Sequence, residues 1–552
     1  MPALLLRRLG ATALTATLSF ASLNDALAIE MPADFRAAIE QGVANGRYQS
    51  IAVALIERDQ HGEWTFGAVA PDGRKPEIAD AFEIGSTTRS FTGLLFGRAL
   101  LEGKVHLNDT LGKLFADVHF ADPRLAAATL GQLAIHRAGL PALPSNLFPR
   151  SVDDPYVQYD ATALQTYLAH AHLDPADVGV YRYSDLGVAL LGEALARAYR
   201  KDFRSLLASE VLAPLALTGT GFGSVPRLLD GRRDDTVASH WQYQSFASAS
   251  GLRSTLFDLS RFANAVLRPD ASPLRQAILL AREPRASAGG GETAFAWQIV
   301  PVESDGQSWP LLWQAGVTGG FASFVGLRTD RQRAVILLGN ASIDLSALGL
   351  ALVAERQPPP PPPKRLPIAA SAALAYEGLY RFDTGGDLVV RSGAEGLTMQ
   401  LSGQIPQPMF DYDEDAFELG GGGQLTFARD DTKVVGAVLH RNGANVRAER
   451  LSEGAPALKR NTSAMPSKEL AVYAGDYALS RSVRAHIVTA TPGLRVQLTG
   501  TAPTFVQRCA VDRFCDDNGT LEVAFSRDRT GKISALDWRQ GVFEARATRD
   551  DW

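Results

Sequence analysis

The chain has 552 residues, 46% of them hydrophobic and 21% charged, with a formal net charge of −5. These proportions describe ordinary globular material with room for two to four domains, and nothing outside one short proline stretch suggests disorder. The mild acidic excess argues against nucleic acid or an anionic membrane surface as a partner.

Arg7 and Arg8 precede an apolar run of mostly small residues from Leu9 to Leu23, and Ala26, Leu27 and Ala28 follow. These are the three parts of a secretory signal peptide spanning residues 1–28, with cleavage expected before Ile29. Its removal takes away Arg7, Arg8 and Asp25 and leaves a net charge of −6. No later apolar run reaches the length of a bilayer span. The expected location is therefore periplasmic or secreted, with no membrane span after cleavage.

From Met31 to about Arg47 the spacing predicts an amphipathic helix, then a strand over SIAVALIER and a partner strand over WTFGAV, with a turn from Asp59 to Gly62. Next comes EIGSTTRSFTGLL, residues 83–95. An extended segment at Ala81, Phe82 and Ile84 gives way there to a helix whose apolar positions are Phe91, Leu94, Leu95 and Ala99. Ser86 lands at the helix N-terminus, where unpaired N–H groups and the positive end of the helix dipole favour negative charge on its hydroxyl. Arg89 lies one turn on, along the same face. A serine with a cation three residues later has the spacing of the Ser-x-x-Lys nucleophile motif.

EIGSTTRSFTGLL followed by EGKVHLNDTLGKLF (102–115) resembles the nucleophile region of the penicillin-binding-protein and class C β-lactamase-like serine hydrolases. That family includes DD-peptidases, D-aminopeptidases and esterases. Its lysine is replaced here by Arg89. LGQLAIHRAGLP (130–141) resembles a family segment that supports the helical subdomain, which implies a structural role for His136. YRYSDLGVALLGEAL (181–195) resembles the Tyr-Ser-Asn box, with Tyr183 as the implied catalytic tyrosine and Asp185 where asparagine is usual. Two further stretches, 206–223 and 247–262, match parts of the family that carry fold. WQAGVTGGFASFVGLR (313–328) resembles the third box, but reads Gln314-Ala315-Gly316 in place of Lys-Thr-Gly or His-x-Gly. The resemblance runs from about Ala52 to Ser342. It implies an α/β domain at 29–357, an antiparallel sheet with helices and a helical subdomain. AVILLGN (334–340) reads as a buried central strand of that sheet.

Six prolines, Pro358 to Pro363, open a linker over 358–367 expected to be a stiff polyproline rod of about 20 Å. Beyond it the chain repeats itself. Tyr376, Gly378 and Tyr380 recur as Tyr473, Gly475 and Tyr477; GLTMQLSG (396–403) recurs as GLRVQLTG (493–500); Phe427 and Gly443 recur as Phe525 and Gly541. Two homologous units, 368–460 and 461–552, made of short alternating runs predict two small antiparallel β-barrels. Their order resembles the D-aminopeptidase architecture. Cys509 and Cys515, the only cysteines, are expected to form a local disulfide in an exported chain. His170 and His172 read as surface or loop residues rather than a metal site.

The resemblance implies that Ser86 attacks a carbonyl carbon to form an acyl-enzyme. The backbone N–H groups of Ser86 and Val317 would hold the oxyanion, Gln314, Gly316 and Thr318 would line the substrate site, and Tyr183 would move protons. No cofactor or metal is called for. Arg89 is not a base, because a guanidinium does not surrender its proton in a protein. It either favours a Tyr183 anion or forms an ion pair with Asp185. Gln314 brings no charge, so β-lactams and D-Ala-D-Ala peptides are poorer substrates than neutral esters or amides. The sequence supports a serine hydrolase of altered or weak activity on an ester, amide or D-amino-acid peptide, with cell-wall fragments as one source of substrate. The alternative is an inactive homologue that binds peptidoglycan fragments or another cell-envelope ligand. An inhibitor or assembly factor acting through the barrels is the third reading.

Overall fold

A computed structural model describes residues 27–549, apart from 71–72, 145–146, 148–153, 174, 234–235, 289–290, 361–367, 369, 383–386, 394–395, 402–406, 420–422, 442–443, 454–464, 480–483, 491, 499–503, 517–520 and 541–542. The leader before Leu27, most of the linker, and Gly443 and Gly541 of the repeat lie outside the described residues. Leu27–Ala28 form a short edge strand paired in parallel with Gln60 and His61.

The front half is built on a nine-stranded sheet. Helix α1 (Ala33–Ala44) leads into strands β1 (Ser50–Glu57) and β2 (Gln60–Gly67). The turn between the strands is therefore shorter than the Asp59–Gly62 turn expected, because Gln60 and His61 already pair with Glu57 and Ile56. Strand β3 (Ala81–Glu83) belongs to a separate small sheet and delivers the chain to helix α2 (Thr88–Leu101). Helix α3 (Asp185–Tyr199) packs with α2, and the large sheet is completed by β4 (Trp297–Ser304), β5 (Gln307–Val317), β6 (Ala322–Arg328) and β7 (Arg333–Gly339). The central order is β2-β1-β7-β6-β5-β4, antiparallel throughout.

Alternation along β1 explains why its apolar run is continuous. Ala52, Ala54 and Ile56 join the core shared with α2. Ile51, Val53 and Leu55 join a second core shared with α1 and with the helix Ser346–Val353. A strand covered on both faces has no polar side to show. Helix α2 is buried on nearly every side, including Thr88, Arg89, Ser90 and Thr92, rather than along one apolar stripe. Phe91 stacks on Phe262 at 4.1 Å between ring centroids, and Phe262 in turn stacks on Trp297.

The repeat becomes two closed eight-stranded barrels, from Gly378–Phe382 to Ala444–Glu453 and from Gly475–Ala478 to Phe543–Arg549. Each barrel interior is filled by its own apolar cluster, as expected for eight strands. The equivalence extends to detail. Tyr380 and Tyr477 donate to the carbonyls of Tyr376 and Tyr473, whose hydroxyls donate to Asp415 and Asp512. Arg429 and Arg527 pair with those same aspartates. Cys509 and Cys515 form a disulfide across the hairpin of the second barrel, with Cα atoms 5.7 Å apart. The first barrel meets the front half where Glu418 pairs with Arg47, just beyond α1, both side chains largely buried. No helix among the described residues is long and apolar enough to cross a membrane.

Candidate active site

Ser86 sits in a short 3₁₀ turn, Gly85–Thr87, between β3 and α2, so the regular helix starts two residues after it. The end of β5 lies directly over this turn. A Cβ placed on Gly316 would come 2.1 Å from the Ile84 carbonyl and 2.6 Å from the Ser86 nitrogen. A Cβ on Gly85, whose φ is +47°, would come 3.1 Å from the Val317 nitrogen. Glycine at both positions permits this approach, which packs the end of β5, with the Val317 amide, against the turn that carries the Ser86 amide. Two backbone N–H groups at a nucleophile are what an oxyanion requires.

Arg89 occupies the next turn of α2. Its Nη2 donates to Ser86 Oγ at 3.1 Å, and the same nitrogen pairs with Asp185 Oδ1. The Arg89 side chain is fully buried and that of Asp185 is 24% exposed. The guanidinium stacks over the Tyr183 ring, 4.2 Å from its centroid. Burial pulls the guanidinium below its ordinary range, opposed by attraction to Tyr183, Tyr181 and Tyr156. It remains a cation nevertheless.

Tyr183 and Asp185 reach Arg89 because their backbone is clamped. Ser184 caps α3 by accepting from the Gly187 N–H at 2.9 Å, while its hydroxyl donates to the Pro141 carbonyl at 2.6 Å. His136, at φ +58°, accepts from the Ser184 N–H through Nδ1 at 3.2 Å, and its carbonyl accepts from Arg182. The His136 ring lies 5.0 Å from Tyr183. Burial, then the charge of Arg89, push this imidazole down to about 3. His136 thus supports the tyrosine as an uncharged ring.

The remaining residues of the third box lie deeper in the domain. Gln314 is fully buried, its amide donating to the Ala296 carbonyl at 2.5 Å. Thr318 is also buried, its backbone held by Phe321 and Ser342. Gln314 lies within β5 and Thr318 just past its end, and both side chains are buried, each with an oxygen that has no hydrogen-bond partner (Gln314 Oε1 and Thr318 Oγ1).

Several neighbours were not singled out in the sequence. Trp241 stands over Gly319, its Nε1 2.5 Å from where a Cβ would be, and its ring meets that of Tyr156 at a tilt, 5.5 Å between centroids. Glu83 anchors that wall by accepting from the Trp241 N–H, His240 and Arg253, each at 3.1 Å. A buried glutamate three residues before the nucleophile was the available signal. The aromatic wall, by contrast, is assembled from segments about 85 residues apart.

The sequence profile of the Beta-lactamase family matches residues 35–375. A Beta-lactamase of Escherichia coli K12 is 24% identical over 329 residues, which are 52% of this chain and 83% of that protein. A D-alanyl-D-alanine-carboxypeptidase/endopeptidase, AmpH, of the same organism is 27% identical over 228 residues, 40% of this chain and 58% of that one. Among solved structures, a class C beta lactamase from Rhodobacter sphaeroides aligns with a TM-score of 0.49 and 20% identity, covering 56% of this chain and 94% of its own. With the profile spanning more than half of the sequence, the chain belongs to the beta-lactamase family of serine hydrolases.

Proposed function

We propose that this protein is an exported serine hydrolase that forms an acyl-enzyme on Ser86 and acts on neutral esters, amides or D-amino-acid peptides. The observation that carries the reading is the Ser86 hydroxyl, 3.1 Å from a buried guanidinium, on a turn against which the Val317 amide is packed. A fixed positive charge and two N–H donors stabilise the negative charge that forms as an acyl carbon becomes tetrahedral. Gln314 is uncharged and buried, so no cation replaces the family's second one at that position. This favours acyl donors without a free carboxylate. The relative named as a D-alanyl-D-alanine-carboxypeptidase/endopeptidase supports peptides of the cell wall as one source. Export is supported by the leader-like residues 1–28 and by the disulfide.

The Arg89–Asp185 ion pair favours a second reading, an inactive homologue that keeps the cleft for a cell-envelope ligand. One experiment separates the two. The purified protein is treated with a fluorophosphonate probe and assayed on p-nitrophenyl esters, alongside Ser86→Ala. An adduct mapped to Ser86 by mass spectrometry, with turnover lost in Ser86→Ala, is the expected result. Absence of both leaves the binding reading.

A further inference from the structure

A serine nucleophile needs an acceptor for its proton, and the residues around Ser86 narrow the choice. Arg89 has no lone pair to offer. His136 accepts from the Ser184 N–H through Nδ1, so its other nitrogen carries the hydrogen. Glu83 is turned to His240, Trp241 and Arg253, which all meet its Oε1, and makes no contact with Ser86 or Arg89. Gln314 is an amide tied to Ala296. Tyr183 lies under the Arg89 guanidinium, and its hydroxyl is hydrogen-bonded to that same cation. Asp185 is different. Its Oδ1 and the Ser86 Oγ both meet the single nitrogen Nη2 of Arg89, so carboxylate and hydroxyl share one donor.

Resting on the serine-hydrolase reading above, we propose that Asp185 is the catalytic base of this site. Two departures from the resembled pattern, arginine for lysine and aspartate for asparagine, fall on the two ends of one ion pair. A lysine provides both a positive charge and, once deprotonated, a base; here Arg89 provides the charge and Asp185 the base. As Ser86 Oγ forms its bond to the acyl carbon, its proton passes to Asp185 Oδ1 and the carbonyl π pair moves onto oxygen, against the Ser86 and Val317 N–H groups. Collapse of the tetrahedral species breaks the bond to the leaving group, which takes the proton from Asp185. In the second half, water attacks the acyl carbon and gives its proton to Asp185. The bond to Oγ then breaks and Oγ recovers that proton. Atoms and charge balance without a further reactant. Asp185 Oδ1 is buried while the side chain as a whole is 24% exposed, so water approaches the carboxylate from its other oxygen.

The test uses the full chain and p-nitrophenyl acetate, following the pre-steady-state release of p-nitrophenol. Asp185→Asn should lower acylation by about 100-fold or more, the scale of a positioned base. Sodium formate should restore Asp185→Gly about tenfold and leave the parent unchanged, a rescue that a merely structural aspartate would not give. Should Asp185→Asn not remain folded, Asp185→Glu retains the charge opposite Arg89 while displacing the carboxylate, and its rate should fall with an unaltered melting temperature. An Asp185→Asn or Asp185→Glu rate within about threefold of the parent overturns the proposal. So does loss of activity in Tyr183→Phe together with no formate rescue, which makes Tyr183 the acceptor. If the parent shows no Ser86-dependent release at all, the hydrolase reading itself falls, and the role of Asp185 with it.

Discussion

Replacement of His136 by asparagine should flatten the acid sensitivity of the front half of the protein. The imidazole is wholly buried beneath Tyr183 and Arg89, and its folded-state value lies at about 3 against 6.5 for a free histidine. Between those values the unfolded chain binds a proton that the folded chain does not, so stability falls as pH falls. The slope is about 1.4 kcal/mol per pH unit once the pH is well below 6.5, and it vanishes below about 3. From pH 7 to pH 5 the loss from this group alone is about 2 kcal/mol. Asparagine tolerates the positive φ of +58° at this position and brings no titrating ring. Urea unfolding followed by tryptophan fluorescence reports on the front half, which holds Trp64, Trp241, Trp297, Trp309 and Trp313. The parent should lose about 2 kcal/mol more than His136→Asn between the two pH values. Other titrating groups, such as the aspartates at 80 and 122, contribute to both proteins and cancel in the difference. Equal losses in the two proteins would refute a buried, neutral His136.

Arg89→Lys alone should gain little ester hydrolysis, because Asp185 holds the new ammonium in its charged form; Arg89→Lys with Asp185→Asn should exceed the single variant by about tenfold, and equality would remove the coupling. Gly316→Ala places a methyl group 2.1 Å from the Ile84 carbonyl, so it should lower the melting temperature and abolish Ser86 labelling. Replacing Cys509 and Cys515 by alanine should destabilise the second barrel by about 2 kcal/mol, given the short loop closed, with the front-half transition unmoved in differential calorimetry.

Much of the fold was legible because it rests on local pattern. The apolar runs at 51–56 and 334–338 read as strands, the second as a buried central one, and the 97-residue repeat announced two equivalent barrels. The Ser86–Arg89 contact was also local, since i and i+3 share a helix face. The sequence of Asp185 as a departure was visible, but its partner was not: that Arg89 Nη2 meets both Ser86 and Asp185 depends on α3 crossing α2 with Ser184 clamped to Pro141 and His136. The burial of Gln314 was hidden for the same reason. Alternation along a strand states which residues share a face; which face a helix then seals is decided by packing between segments more than 200 residues apart. Nor could spacing foretell that Trp241 and Tyr156 meet beside Gly319, because aromatic walls of this kind are joined only when loops from separate elements are brought together. Sequence thus determined the elements and the nucleophile turn, and tertiary structure decided which charges meet there, since burial and the crossing of helices are properties of the assembled chain.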